Sequence, residues 1–237
     1  MTLKIGIIGH TGCGDYGHSL DQAFVGVKDA EIMALADPDA EGRLAALKRT
    51  GARRGYARYE EMLEKENLNI VVLATHEMSN HLDMVCTAAD HGVHVYAEKP
   101  LATTPAEVDT MVDRCNQAGV LLIMAHPWRG RPEIQHQAIP MIREGKIGSP
   151  RWARMYGFGG ENGGAQWFID LYPYFFDFLW QLFGEPAWCQ AIITEDGHPA
   201  LPVDRKNGLF GMGTSAGNGM WAHYPVSYTH LRAHETD

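Results

Sequence analysis

Five short apolar runs pace the first 125 residues: LKIGII (3–8), EIMALAD (31–37), IVVLA (70–74), HVYA (94–97) and VLLIMA (120–125). Runs of this length without strict polar alternation are what strands covered on both faces look like. Between them lie segments of helical character: His18 to Val27, residues 39–50, the stretch carrying His81, Met84, Val85 and Ala88 at helical spacing, and Pro105 to Ala118. Strands alternating with helices of about 10–15 residues predict an α/β fold with a doubly wound parallel sheet. Such a sheet binds its ligands outside the carboxyl ends of its strands, so residues just after each apolar run become the first candidates for function.

After about His126 the texture changes. Pro132 to Glu144 has the punctuation of a connecting helix, with proline in its first turn and Gly145 just past its end. Residues 151–158 alternate like a half-buried strand, Asp170 to Phe183 forms an aromatic helix, and Trp188 to Thr194 resembles another strand. Leu209 to Thr214 and Met220 to Tyr224 flank a Gly/Asn-rich link as the arms of a hairpin would. The expectation is a parallel-sheet domain over 1–126, then a partial α+β domain with a mostly antiparallel open sheet over 127–225. Residues 226–237 are expected to be non-native. VSYTHLRAHET is what one reading frame of a transposase-type sequencing-library adapter encodes, and it is set aside as a fusion scar would be.

The composition narrows the function classes. A net charge of −9 argues against nucleic acid, whose phosphates attract a basic face. Four cysteines lie far apart at 13, 86, 115 and 189 with no C-x-x-C pair, which fits a reducing compartment. The 12 histidines are scattered, with no H-x-x-x-H pair on an evident helix, so no metal site is expected. The N-terminus lacks the pattern of a signal peptide, and no apolar run is long enough to span a bilayer. A cytoplasmic location is the expectation.

Chemistry gathers at the strand ends. Gly12-Cys13-Gly14-Asp15-Tyr16-Gly17 satisfies G-x-G-x-x-G, with Gly9 and Thr11 just before it. Glycine is required where the chain turns tightly and brings bare N–H groups against a pyrophosphate, which a following helix then faces with its positive end. The position after a strand and before a helix supports dinucleotide binding over a glycine-rich surface turn. Either Gly9 or Gly12 makes the first turn. Asp37 ends the second run, 20 residues beyond Gly17. A carboxylate there accepts from ribose hydroxyls and repels a 2′-phosphate, which favours NAD over NADP; a plain strand-end aspartate entering a turn is the alternative. Glu98-Lys99-Pro100 closes the fourth run and puts a lysine on the ligand side of the sheet, unless it is a solvated surface lysine.

With these residues on the page, the chain resembles the family of glucose–fructose oxidoreductase, inositol dehydrogenase and MocA proteins. KIGIIG, ALADPD, the Ala74-Thr75 to His81 segment, EKPLATT, REGKIGSP and DLYPYFFDFLWQLFG carry the likeness over most of 3–185. The resemblance implies an NAD(P)-binding Rossmann domain followed by an α/β domain whose open sheet supports substrate binding and contacts in a homo-oligomer. It implies that Lys99 sits beside nicotinamide and the substrate hydroxyl, and that the loop holding Thr75, His76 and His81 passes near the cofactor. His81 reads better as a satisfied structural histidine. The family often shows D-x-G-x-H on the aromatic helix. Here Asp170 matches the aspartate, Tyr172 replaces the glycine and Tyr174 stands at the histidine position, as it does in members resembling dihydrodiol dehydrogenase, where tyrosine assisted by the lysine is taken as proton donor.

A phenol becomes a useful base once a neighbouring ammonium favours its ionised form, although an aromatic run at helical spacing also reads as core. Asp170 orients a substrate hydroxyl in this reading, and is an N-cap or surface charge in the other. Arg129 and Trp167 are the further substrate candidates, with Arg129 equally suited to brace the domain junction. The function expected is hydride transfer between NAD and a hydroxyl-bearing carbon of a sugar, polyol or cyclic alcohol. The alternatives are an NAD-dependent glycosidase of the same family and a non-catalytic dinucleotide-binding protein.

Overall fold

The computed structural model describes residues 2–150, 153 and 165–185, with 165–172 as backbone only, and six two-residue strand pieces between 191 and 222. The strand expected over 151–158 and the tail over 226–237 lie outside the described residues. Contacts divide the chain into two compact units, Met1–Ala125 and His126–Asp237.

The first unit is a six-stranded sheet: β1 (Leu3–Ile8), β2 (Ala30–Ala36), β3 (Arg54–Tyr56), β4 (Ile70–Leu73), β5 (His94–Ala97) and β6 (Leu122–Met124). The spatial order is β3-β2-β1-β4-β5-β6 and every pairing is parallel. The order reverses between β1 and β4, which makes their carboxyl ends the topological switch point. Alternate residues of a strand face opposite ways. Ile5, Ile7 and Val72 accordingly join one core cluster, while Ile8, Val71 and Leu73 join the other. Along β2 the register slips: Ile5 pairs with Ile32 but Gly6 pairs with Ala34. Met33 is the extra residue, and its insertion puts Ile32 and Leu35 in the same cluster although three positions separate them.

The helices α1 (Ala40–Thr50), α2 (Tyr59–Lys65), α3 (His81–Asp90) and α4 (Pro105–Ala118) lie between the strands in the chain. α4 starts where its sequence says. Thr104 caps the Glu107 N–H, Glu107 returns the bond to the Thr104 backbone, and Pro105 fills the first turn. The helix expected over His18–Val27 is a correction: only a three-residue 3-10 turn, Leu20–Gln22, forms there. Ser19, Gly26 and Asp29 all take positive φ, and Asp21 is buried against Arg49 Nε at 2.6 Å instead of facing water. Leu20 and Phe24 still pack against the core, while Val25 and Val27 stay exposed. β3 shows no period in the sequence, because RGY is too short and too polar to register.

In the second unit, Pro132–Glu144 is a π-helical stretch, Glu133–Ala138, running into α5 (Ile139–Arg143). The aromatic helix α6 covers Ala165–Phe183. On α6, Phe175 and Leu179 are buried, Phe178 and Leu182 half-buried, and Phe176 and Trp180 exposed. The described strand pieces pair antiparallel: 205–206 with 209–210, 191–192 with 221–222, and 194–195 with 198–199. Of the hairpin expected between 209–214 and 220–224, only 209–210 and 221–222 fall among the described residues. Among the described residues no helix is long and apolar enough to cross a membrane.

Two variants separate packing from capping. Ile7 is fully buried, and Ile7→Ala is expected to cost about 2–5 kcal/mol in urea unfolding. Thr104→Ala, which removes one cap of α4, is expected to cost about 1 kcal/mol.

Candidate functional site

The carboxyl ends of β1, β2, β4 and β5 bring together most of the residues singled out from the sequence. The loop after β1 is pinned at both sides. Gly14 takes φ +79°, and a Cβ there would fall 2.3 Å from the Glu77 nitrogen. The His76 N–H donates to the Gly14 carbonyl at 2.9 Å, and the Thr75 hydroxyl donates to the Cys13 carbonyl at 2.9 Å. Gly9 makes room of another kind: a Cβ would lie 2.2 Å from the Tyr16 ring. Gly12, also at positive φ, donates its N–H to the Asp15 carboxylate.

Asp37 follows β2 and its residue is 0% exposed. Its carboxylate accepts from the Thr11 hydroxyl (2.7 Å), the Tyr16 hydroxyl (2.7 Å), the Asp39 N–H (2.9 Å) and the Thr11 N–H (3.2 Å). A carboxylate has about four lone-pair directions, and the protein's own donors occupy them here. Burial, then the Asp37 carboxylate, push the Tyr16 phenol well above its ordinary range, so it stays a donor. Arg49 lies over the Tyr16 ring, 4.3 Å from its centroid. Beside this network a cleft of about 340 Å³ opens at the ends of β1 and β2, lined in part by Gly9, Asp37, Arg58, Tyr59, Glu60 and Asp83. Its volume falls in the range of small-molecule sites, roughly 300–1,000 Å³.

Across the switch point stand Glu98 and Lys99, each 2% exposed. Lys99 is therefore not a solvated surface lysine. Glu98 accepts from the Lys99 N–H at 3.0 Å, and His18 meets it with both its ring and its N–H. Pro100, half-buried, follows at the start of the next segment. His81 is fully buried, with Nδ1 3.0 Å from the Leu101 carbonyl and Nε2 3.0 Å from the Thr75 carbonyl. It ties the loop after β4 to the segment after β5. A neutral ring donates to only one of these carbonyls, whereas burial opposes the charged form that would serve both. Burial is the larger effect and holds His81 below its ordinary pKa.

Of the remaining candidates, Arg129 and Tyr174 belong to the second unit. Arg129 forks onto Asp177, its Nε 2.9 Å from Oδ2, and Gln181 donates to the same carboxylate. The Tyr174 ring stacks on Trp128 with centroids 5.2 Å apart and meets the His126 ring edge-on at 4.9 Å. The side chains of Asp170 and Trp167 lie outside the described residues. Among the described residues no cluster of three or more His, Cys, Asp or Glu is arranged to hold a metal ion. Tyr16, His18 and Arg49 carry no functional signal in the sequence alone. Tyr16 and His18 lie in or beside the glycine loop, but their partners are 21 and 80 residues away, so no local spacing reveals the pairs.

Comparison with known proteins agrees with this geometry. The oxidoreductase family with an NAD-binding Rossmann fold, which takes its name from glucose–fructose oxidoreductase, inositol dehydrogenase and MocA, matches residues 3–126. D-apiose dehydrogenase of Paraburkholderia graminis is 38% identical over 144 residues, 61% of this chain and 38% of that protein. Myo-inositol 2-dehydrogenase of Thermotoga maritima is 27% identical over 154 residues, 65% of this chain and 44% of that protein. The aligned part of the chain thus spans about two fifths of the length of these relatives. A crystal structure of an oxidoreductase from Agrobacterium radiobacter with NAD+, L-tartaric acid and magnesium has a TM-score of 0.71 at 21% identity, covering 94% of this chain and 67% of that one.

Two variants probe the buried polar groups. Removing the hydroxyl in Tyr16→Phe takes a donor from a buried carboxylate and is expected to cost about 1.5–3 kcal/mol in urea unfolding. His81 titrates below its ordinary value in the folded state, so the unfolded chain takes up the proton first as pH falls. Its contribution is present above about pH 6.5 and declines toward the lower folded pKa. His81→Gln is expected to be less stable at neutral pH and to lose less stability than the parent chain between pH 6.5 and 5, by urea midpoints at each pH.

Proposed function

Because the chain belongs to the oxidoreductase family with an NAD-binding Rossmann fold, we propose that it transfers a hydride between NAD and a hydroxyl-bearing carbon of a sugar, polyol or related cyclic alcohol. The observation that carries this reading is the convergence of the glycine loop, Asp37, Thr75 and the buried Glu98-Lys99 pair on one edge of the sheet, around the switch point between β1 and β4. The relatives include dehydrogenases of D-apiose and of myo-inositol, which supports a substrate rich in hydroxyls.

The cofactor supplies the hydride chemistry when bound, and the protein supplies position and electrostatics. The glycine loop and the cleft beside β1 and β2 hold the dinucleotide. Asp37, Glu60 and Asp83 outnumber the single guanidinium of Arg58 in that cleft, and Arg58 is itself 3.4 Å from Glu60. This balance disfavours a 2′-phosphate and supports NAD over NADP. Lys99 polarises the substrate oxygen, Tyr174 moves the proton, and Asp170 orients a hydroxyl. Arg129 and Trp167 complete the substrate side.

Titration of the chain with NADH and NADPH, followed by nicotinamide fluorescence, tests the reading. NADH is expected to bind at least about tenfold tighter, equivalent to about 1.4 kcal/mol. A folded sample that binds neither sinks the reading. Tyr174→Phe is expected to keep NADH affinity and lose most polyol turnover; unchanged turnover returns Tyr174 to a packing role.

A further inference from the structure

The ring of His18 pairs an exposed imidazole with a buried carboxylate. Its side chain is 58% exposed, yet Nδ1 lies 3.1 Å from Oε1 of Glu98, whose side chain is only 3% exposed. The His18 backbone N–H reaches Oε2 of the same carboxylate at 3.4 Å, and Oε1 also takes the Lys99 N–H. The backbone is bent to allow this. Gly17, at φ +52°, packs so closely that a Cβ would lie 2.8 Å from Glu98 Oε2 and from the Ala74 carbonyl. Ser19, on the other side, is held at φ 61°. His76 stands edge-on to the His18 ring at 5.4 Å.

An ionised carboxylate only accepts, so in the neutral ring the proton sits on Nδ1 and the lone pair on Nε2. A buried carboxylate that fixes the tautomer of a half-exposed imidazole, one residue from the buried lysine of the site, is the arrangement of a proton-transferring imidazole and its orienting partner. We propose that His18 is a proton carrier of the active site, with Glu98 as its positioning residue. The inference rests on the hydride-transfer reading above. When the alcohol is oxidised, the C–H electron pair leaves as hydride to NAD+, and the O–H pair becomes the second C–O bond. Once Tyr174 has moved the proton off the hydroxyl, the proton passes through Nε2 of His18 to water. His18 is thus the station between the reacting groups and bulk solvent.

The test has two arms. In the free chain, long-range 1H–15N correlation spectra of the histidines are expected to show His18 as the Nδ1–H tautomer. In polyol oxidation with NAD+, followed by NADH absorbance, His18→Asn is expected to lower kcat about 100-fold. KM and NADH affinity should stay within about threefold, and added imidazole buffer should restore part of the rate. Glu98→Gln, which keeps the acceptor and loses the charge, should lower kcat less. Rescue by imidazole is a readout that a merely structural histidine does not give. An Nε2–H ring in the free chain, an unchanged kcat in His18→Asn, or a loss of NADH affinity confined to that variant overturns the role. Failure of the parent chain itself to bind NADH falls on the hydride-transfer reading instead.

Discussion

A carboxylate taken out of water must be surrounded by donors, and this chain buries two of them at the carboxyl edge of one sheet. Asp37 and Glu98 sit on opposite sides of the β1/β4 switch point, at 0% and 2% exposure. Both draw donors from the same stretch of chain. Thr11 and Tyr16 supply Asp37, and His18 supplies Glu98. Leaving either carboxylate unpaired in that environment would cost several kcal/mol, so the conformation of residues 10–18 is tied to the sheet it closes.

That tie explains features that otherwise look unrelated. The glycine loop leads into no regular helix, because the residues following it are engaged in holding Glu98 and in burying Asp21 against Arg49. Arg49 lies over the ring of Tyr16, whose hydroxyl holds Asp37, so α1 is joined to the loop through one aromatic residue. The bare Cα of Gly9 is the space that ring occupies. His81 extends the same logic to the other side, joining the loop after β4 to the segment beyond Lys99 through two backbone carbonyls. The edge of the sheet where ligands are expected is thus built from buried polar groups that hold one another.

The placement of strands was largely legible because apolar runs and glycine punctuation are local signals. The helix expected over Pro105 to Ala118 forms with those bounds, and the family to which residues 3–126 belong was legible in segments such as KIGIIG, ALADPD and EKPLATT. The expected helix at His18–Val27 went wrong for a physical reason: its helical look ignored the pull of Glu98, 80 residues away, on His18. β3 escaped notice because a three-residue strand has no period to detect.

What the sequence by itself determined was the alternating order of strands and helices, and with it the parallel sheet and the strand ends at which Asp37, Thr75 and Lys99 stand. Those follow from periodicity and from the rule that parallel strands need crossovers. The tertiary structure alone decided which donors each buried carboxylate receives. It turned Asp37 toward Thr11 and Tyr16 and brought His18 to Glu98. Partner choice of this kind depends on side chains meeting across tens of residues in a low-dielectric interior, and no local pattern of residues encodes it.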